Sequence, residues 1–111
     1  MPSSHPELPE GRPKHFRATV HGTVFAGRER LVDELRSGDR LSLRADPPGG
    51  EEEAVWVHTL QGDPVGHLPA EIAIWLAPWM RAGGVATAVA EEVGDSEVPS
   101  WRRLVVDVWC R

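Results

Sequence analysis

Residues 54–84 read AVWVHTLQGDPVGHLPAEIAIWLAPWMRAGG. Val55 and Val57 alternate with Trp56 and His58, the two-residue period of a strand with one face buried. Gln61-Gly62-Asp63-Pro64 carries turn chemistry, and Val65-Gly66-His67-Leu68 has the composition to pair back as a hairpin. The period then changes to that of a helix. Pro69 sits at the expected first helical position, Glu71 in the first turn and Arg81 in the last, with Gly83-Gly84 as the stop. Ile72, Trp75, Leu76, Trp79 and Met80 fall on one face. Pro78 interrupts this pattern, because proline removes an internal hydrogen bond and collides with the carbonyl four residues back, here Ile74. A kink or an early stop is expected there.

Outward from this segment the chain reads mostly as strands. Phe16, Ala18, Val20 and Val24 point one way and Arg17, Thr19, His21 and Thr23 the other, with Gly22 marking a bend. Arg28 to Arg36 spaces Leu31, Val32 and Leu35 at helical intervals and Gly38 offers a C-cap. Leu41 and Leu43 alternate inward in a further strand. Val85–Val89 is a strand of small residues, and Arg103–Trp109 alternates Leu104, Val106 and Val108 against Val105, Asp107 and Trp109. Pro2, Pro6, Pro9 and Pro13 crowd the start, so residues 1–15 read as a flexible Pro-rich tail and residues 16–111 as one domain. Short strands at close spacing with one short and one longer helix predict a mainly β fold, a small closed or partly open barrel.

At 111 residues and 12.2 kDa there is room for one modest core. No apolar run approaches the ~18 residues of a membrane span. A lone cysteine, Cys110, makes neither an internal disulfide nor a cysteine-based metal site, so a reducing, cytoplasmic setting is the expectation. The net charge of −5 disfavours broad electrostatic coating of nucleic acid, which relies on a basic excess to release counterions. It leaves room for a compact site with a few arginines, and all the basic residues but Lys14 are arginine, the better fork for phosphate.

The order of landmarks resembles a known family. Val24-Phe25-Ala26-Gly27-Arg28 precedes a short helix and Ser37-Gly38-Asp39-Arg40-Leu41-Ser42-Leu43. Asp46-Pro47 leads an acidic loop into Ala54-Val55-Trp56-Val57, and Gly62-Asp63-Pro64-Val65-Gly66-His67-Leu68-Pro69 precedes the long helix. The chain is similar in these respects to HIRAN domains, which occur at the N-terminus of certain SWI/SNF-type DNA translocases and as short free-standing bacterial chains. The resemblance implies an OB-like barrel of about six strands without a catalytic centre. It also implies a pocket for the 3′-hydroxyl end of single-stranded DNA, in repair or replication. In such a site an Arg and a His hold phosphates, aromatic rings stack on bases and a carboxylate accepts from the sugar hydroxyl.

Residue by residue, Arg28 matches the family arginine and His67 the histidine before the helix. Glu51 stands where the acidic loop carries an Asp. Glu29 and Arg30 occupy the positions of two stacking aromatics, Ala70 that of a lysine, and Glu53 that of an Asn before the third strand. Stacking is worth ~1–3 kcal/mol per base, so the two missing rings weigh against DNA binding unless other residues replace them. Arg28, Arg30, Arg44 and His67 are expected to converge on one mouth of the barrel. Trp75 and Trp79 belong to the core stripe, whereas Trp56 and Trp109 fall on the outward strand faces and are candidates for a ligand or self-association surface. The carboxylates of Glu51-Glu52-Glu53 read as a solvated run, and Glu91, Glu92, Asp95 and Glu97 as a hairpin tip. No metal triad or serine nucleophile supports an enzyme, and no cofactor is expected. Two functions stay open: a module binding single-stranded DNA ends, or a protein-interaction module that keeps the scaffold and has lost DNA binding.

Overall fold

The computed structural model describes residues 6–45 and 52–111. The Asp46-Pro47 pair and Glu51 lie outside the described residues. Six strands form one antiparallel sheet: β1 (His15–Thr19), β2 (Arg40–Ala45), β3 (Val55–His58), β4 (Pro64–His67), β5 (Ala86–Val93) and β6 (Leu104–Cys110). Their order across the sheet is β1-β6-β5-β2-β3-β4. Just beyond β1 the chain crosses to the far edge, where His21 and His67 exchange backbone hydrogen bonds of 2.8 and 2.9 Å. That bridge joins the chain following the first strand to the last strand of the sheet and curls the sheet into a barrel.

Alternation explains the core. Leu41, Leu43, Val55, Val57, Val65, Leu104, Val106 and Val108 are all buried. The register aligns them in rows: Phe16 faces Val108, which faces Ala88, which faces Leu41; Leu43 faces Val57, which faces Gly66. Gly66 has a specific reason to be glycine. A Cβ there would strike the His21 carbonyl and the Val20 side chain, so only a bare α-carbon lets the barrel close.

Two helices complete the fold, α1 (Arg28–Glu34) and α2 (Ala70–Arg81). The latter caps the barrel with Ala73, Trp75, Leu76, Ala77 and Trp79, while Ile72 and Met80 pack partly against the same core. Pro69 proves to be the residue before the first turn, its carbonyl accepting from the Ile72 and Ala73 N–H groups. Pro78 does not stop the helix, which runs on to Arg81. Trp79, immediately after the proline, is buried and donates its indole N–H to the Pro6 carbonyl at 3.1 Å, which holds the last turn in place.

Other expectations are corrected. Helix α1 ends at Glu34, and Leu35 is already extended, so Gly38 serves a turn ahead of β2 rather than the helix cap. The alternation of the first strand fails after Gly22, whose φ of 72° reverses the chain. Thr23, expected outside, is fully buried with its hydroxyl on the Ser100 carbonyl at 3.3 Å, and Val24 and Phe25 are exposed. Strand β5 continues through Glu91 and Glu92, which therefore sit on the sheet and not at a hairpin tip. Residues 6–14 carry no helix or strand. They nonetheless lie along the barrel, with Leu8 on the core, Arg12 over the Trp75 ring at 5.4 Å and the Lys14 carbonyl accepting from Cys110. Among the described residues no helix is long and apolar enough to cross a membrane.

Candidate nucleic-acid interface

The closing bridge also assembles the polar site. The loop from Gly22 to Gly27 turns sharply, with positive φ at Gly22, Ala26 and Gly27, and delivers Arg28 as the first residue of α1. The Arg28 guanidinium folds back, donating from Nη1 to the Gly22 carbonyl at 2.9 Å. Its carbon lies 4.9 Å from the Trp56 ring centroid, a cation–π contact. Trp56 in turn meets the His67 ring edge-on at 5.3 Å. His67 faces His21 across the bridge, with ring centroids 6.2 Å apart. Strand β3 places Trp56 outward because Val55 and Val57 must point in, and β4 sets His67 directly opposite it in register.

Two polar details distinguish this patch. The Arg28 Nε is buried and has no hydrogen-bond partner, although an unmatched guanidinium N–H is costly. His67 Nδ1 lies 3.2 Å from the Leu68 carbonyl, and His21 Nε2 lies 3.0 Å from the Thr19 hydroxyl. Arg28, Trp56, His67 and His21 thus form one cluster of a cation, an indole and two imidazoles.

The remaining sequence candidates fall elsewhere. Arg30 is exposed, and two residues along a helix turn a side chain to nearly the opposite face, so it does not join Arg28 over Trp56. Arg44 pairs with Trp56 across β2 and β3 and shares its outward face, but its guanidinium reaches towards Gly62 in the turn. Its charge, after burial, is the second cause holding the His58 imidazole below its ordinary range. Trp109 lies on β6, stacked flat on His15 at 4.5 Å, so the two outward tryptophans occupy different parts of the sheet. Glu29, at an expected aromatic position, lies 3.9 Å from Arg103, whose buried guanidinium holds the Ser96 and Val98 carbonyls. Glu53 pairs with Arg81 of α2, at 2.6 Å, and is not part of a merely solvated run.

His21, Phe25 and Trp101 were not singled out as site residues. Phe25 is 65% exposed in the loop before Arg28, and Trp101 is 56% exposed on the 3-10 turn Ser100–Arg102. The Thr23–Ser100 hydrogen bond ties these two segments together, which puts apolar rings beside a loop that ends in Arg28. The sequence signal was present in Gly22, since a glycine bend implies that alternation restarts in a new phase.

A six-stranded antiparallel barrel capped by one helix, with a cation–aromatic–imidazole cluster at its closing seam, is an OB-like domain. The HIRAN domain model matches residues 13–110, and the chain belongs to that family. Two solved structures share its fold. A protein from Lactobacillus plantarum aligns with a TM-score of 0.71 at 19% identity, covering 85% of this chain and 89% of that one. The HIRAN domain of human HLTF aligns with a TM-score of 0.58, also at 19% identity, covering 86% of this chain and 72% of that one. No curated protein matches the chain.

Proposed function

We propose that this chain is a non-catalytic nucleic-acid-binding module whose Arg28–Trp56–His67 cluster receives a phosphate at the 3′ end of single-stranded DNA, in a repair or replication setting. The observation that carries this reading is the Arg28 guanidinium, parked over Trp56 with its buried Nε unmatched. An anion that drew the guanidinium out of this position would give its N–H groups an acceptor and add a charge-assisted bond. Exposed Phe25 and Trp101 supply rings for stacking in place of those absent at Glu29 and Arg30. Glu51 is assigned the acceptor role towards the terminal sugar hydroxyl, and Arg30 the role of an outlying phosphate contact.

The test is fluorescence anisotropy with short labelled single strands at low and moderate salt, comparing a free 3′-hydroxyl with a 3′-phosphate. Binding that prefers the hydroxyl and is lost in Arg28→Ala supports the module. No saturable binding at low salt, where attraction is strongest, retires it. A protein partner is the second reading. It is favoured by a groove of about 530 Å³ between α1 and the β3–β4 turn, where Leu31, Leu35 and Leu60 meet Glu34, Asp39 and Asp63 with Arg40 as the one cation. Three carboxylates against one guanidinium suit a basic segment of another protein and repel nucleic acid.

A further inference from the structure

The hydrogen bonding of His67 constrains how it can hold a phosphate. Its Nδ1 faces the Leu68 carbonyl, and a carbonyl has no proton to give, so Nδ1 carries the hydrogen. In the neutral ring Nε2 is then a bare lone pair. That nitrogen looks onto Gly22: a Cβ built there would lie 3.1 Å from Nε2 and 3.5 Å from Arg28 Nη1. The imidazole edge and the guanidinium therefore both border the Gly22 α-carbon closely. A phosphate drawn in by Arg28 meets an acceptor at His67 unless Nε2 gains a proton.

His21 stands beside His67, with ring centroids 6.2 Å apart. Its backbone exchange with His67 fixes the two rings side by side, inclined by 24°. The charged group set against the pair is Arg28 from α1. Trp56 from β3 is neutral, Thr19 from β1 offers a hydroxyl, and Leu68 following β4 offers a carbonyl. Among the described residues no carboxylate lies within ion-pair range of either ring. A docked phosphate favours an added positive charge on the pair.

We propose that His21 and His67 act as one imidazole pair that takes up a proton from solvent as a phosphate docks against Arg28, making strand-end binding proton-coupled. The inference rests on the nucleic-acid reading above and adds a residue and a regulating condition to it. Imidazole is the side chain suited to such coupling, since its charge changes in the mildly acidic to neutral range.

The experiment uses the whole chain and labelled oligo-dT with a free 3′-hydroxyl, because neither thymine nor a phosphodiester titrates between pH 6 and 8. Affinity is measured across that range at constant ionic strength. Proton uptake is read from binding heats in buffers of different ionisation enthalpy. A one-unit rise in the pair's proton affinity on binding, from the ordinary imidazole range, tightens Kd by about sixfold between pH 8 and pH 6. His67→Gln keeps an amide donor that needs no proton, so its profile is flat and it binds more weakly than wild type at pH 6. His21→Gln, which keeps a partner for Thr19, gives a shallower slope. Equal thermal midpoints of the variants and wild type at both pH values exclude a folding origin for these differences. Wild-type binding that is saturable but unchanged with pH, with no proton uptake, overturns the coupling and leaves the nucleic-acid reading standing. A full wild-type slope in either variant overturns the pair. No saturable binding at any pH overturns both readings.

Discussion

Replacing Gly66 by alanine tests the closing seam directly. The added methyl meets the His21 carbonyl and Val20, whose side chain is fully buried. Relief requires the His21–His67 bridge to open and Val20 to shift as well, since the methyl meets both. The bridge holds two backbone hydrogen bonds, each worth about 0.5–1.5 kcal/mol net. Overpacking beside a buried valine adds about 1–3 kcal/mol. The expected destabilisation is therefore about 2–6 kcal/mol, a fall in midpoint of at least ~8 °C for a domain of this size. Urea unfolding followed by tryptophan fluorescence and circular dichroism measures it. Gly27→Ala is the control: it meets nothing within 4 Å and carries only the backbone cost of φ 76°. A Gly66→Ala protein within about 0.5 kcal/mol of wild type would refute the argument that close approach at this residue closes the barrel. If the argument holds, any affinity for oligonucleotide falls with it, because the same bridge positions His67.

Trp79→Phe should cost about 1–2 kcal/mol in denaturant unfolding, since it removes the indole N–H bonded to Pro6; in a chain lacking residues 1–8 the same change should cost less. The Glu91 carboxyl is held above its ordinary range, first by its hydrogen bond with Asp107 and then by burial, against the lowering effect of Arg17. A raised folded value means the wild-type contribution is present below the unfolded carboxyl range and is lost as pH rises through the folded one. Glu91→Gln, which mimics the protonated form, should gain stability relative to wild type as pH rises, and thermal melts from pH 4 to pH 8 would show it. Burial pushes the Cys110 thiol up, so alkylation by iodoacetamide at neutral pH should be slow and should accelerate with added urea in step with unfolding.

Much of the framework was legible because its causes are local. The alternation of Leu104, Val106 and Val108, the apolar face of α2 and the turn at Gln61–Pro64 each follow from spacing and from residues that favour one conformation. The errors occurred where a distant contact overrides local preference. Pro78 remains in a helix whose next residue, the buried Trp79, bonds to Pro6, far away in the chain. Glu91 and Glu92 remain in β5 because β6 continues to pair there, through Leu104 and Val105, past a bulge. Arg28 and His67 were legible as residue types belonging to one site. Arg30 was not separable from Arg28 until the helix phase after Gly27 was known.

By itself, then, the sequence determined the class of fold and most of the buried set, which depend on period and composition, and its resemblance to HIRAN domains pointed to Arg28 and His67. Only the tertiary structure decided that Trp56 lies beneath Arg28, that His21 stands beside His67, and that Phe25 and Trp101 are exposed on linked loops. Each of those relations joins residues through the closure of the barrel. Closure is set by the sum of sheet curvature, register and one close backbone approach at Gly66, and no local pattern encodes that sum.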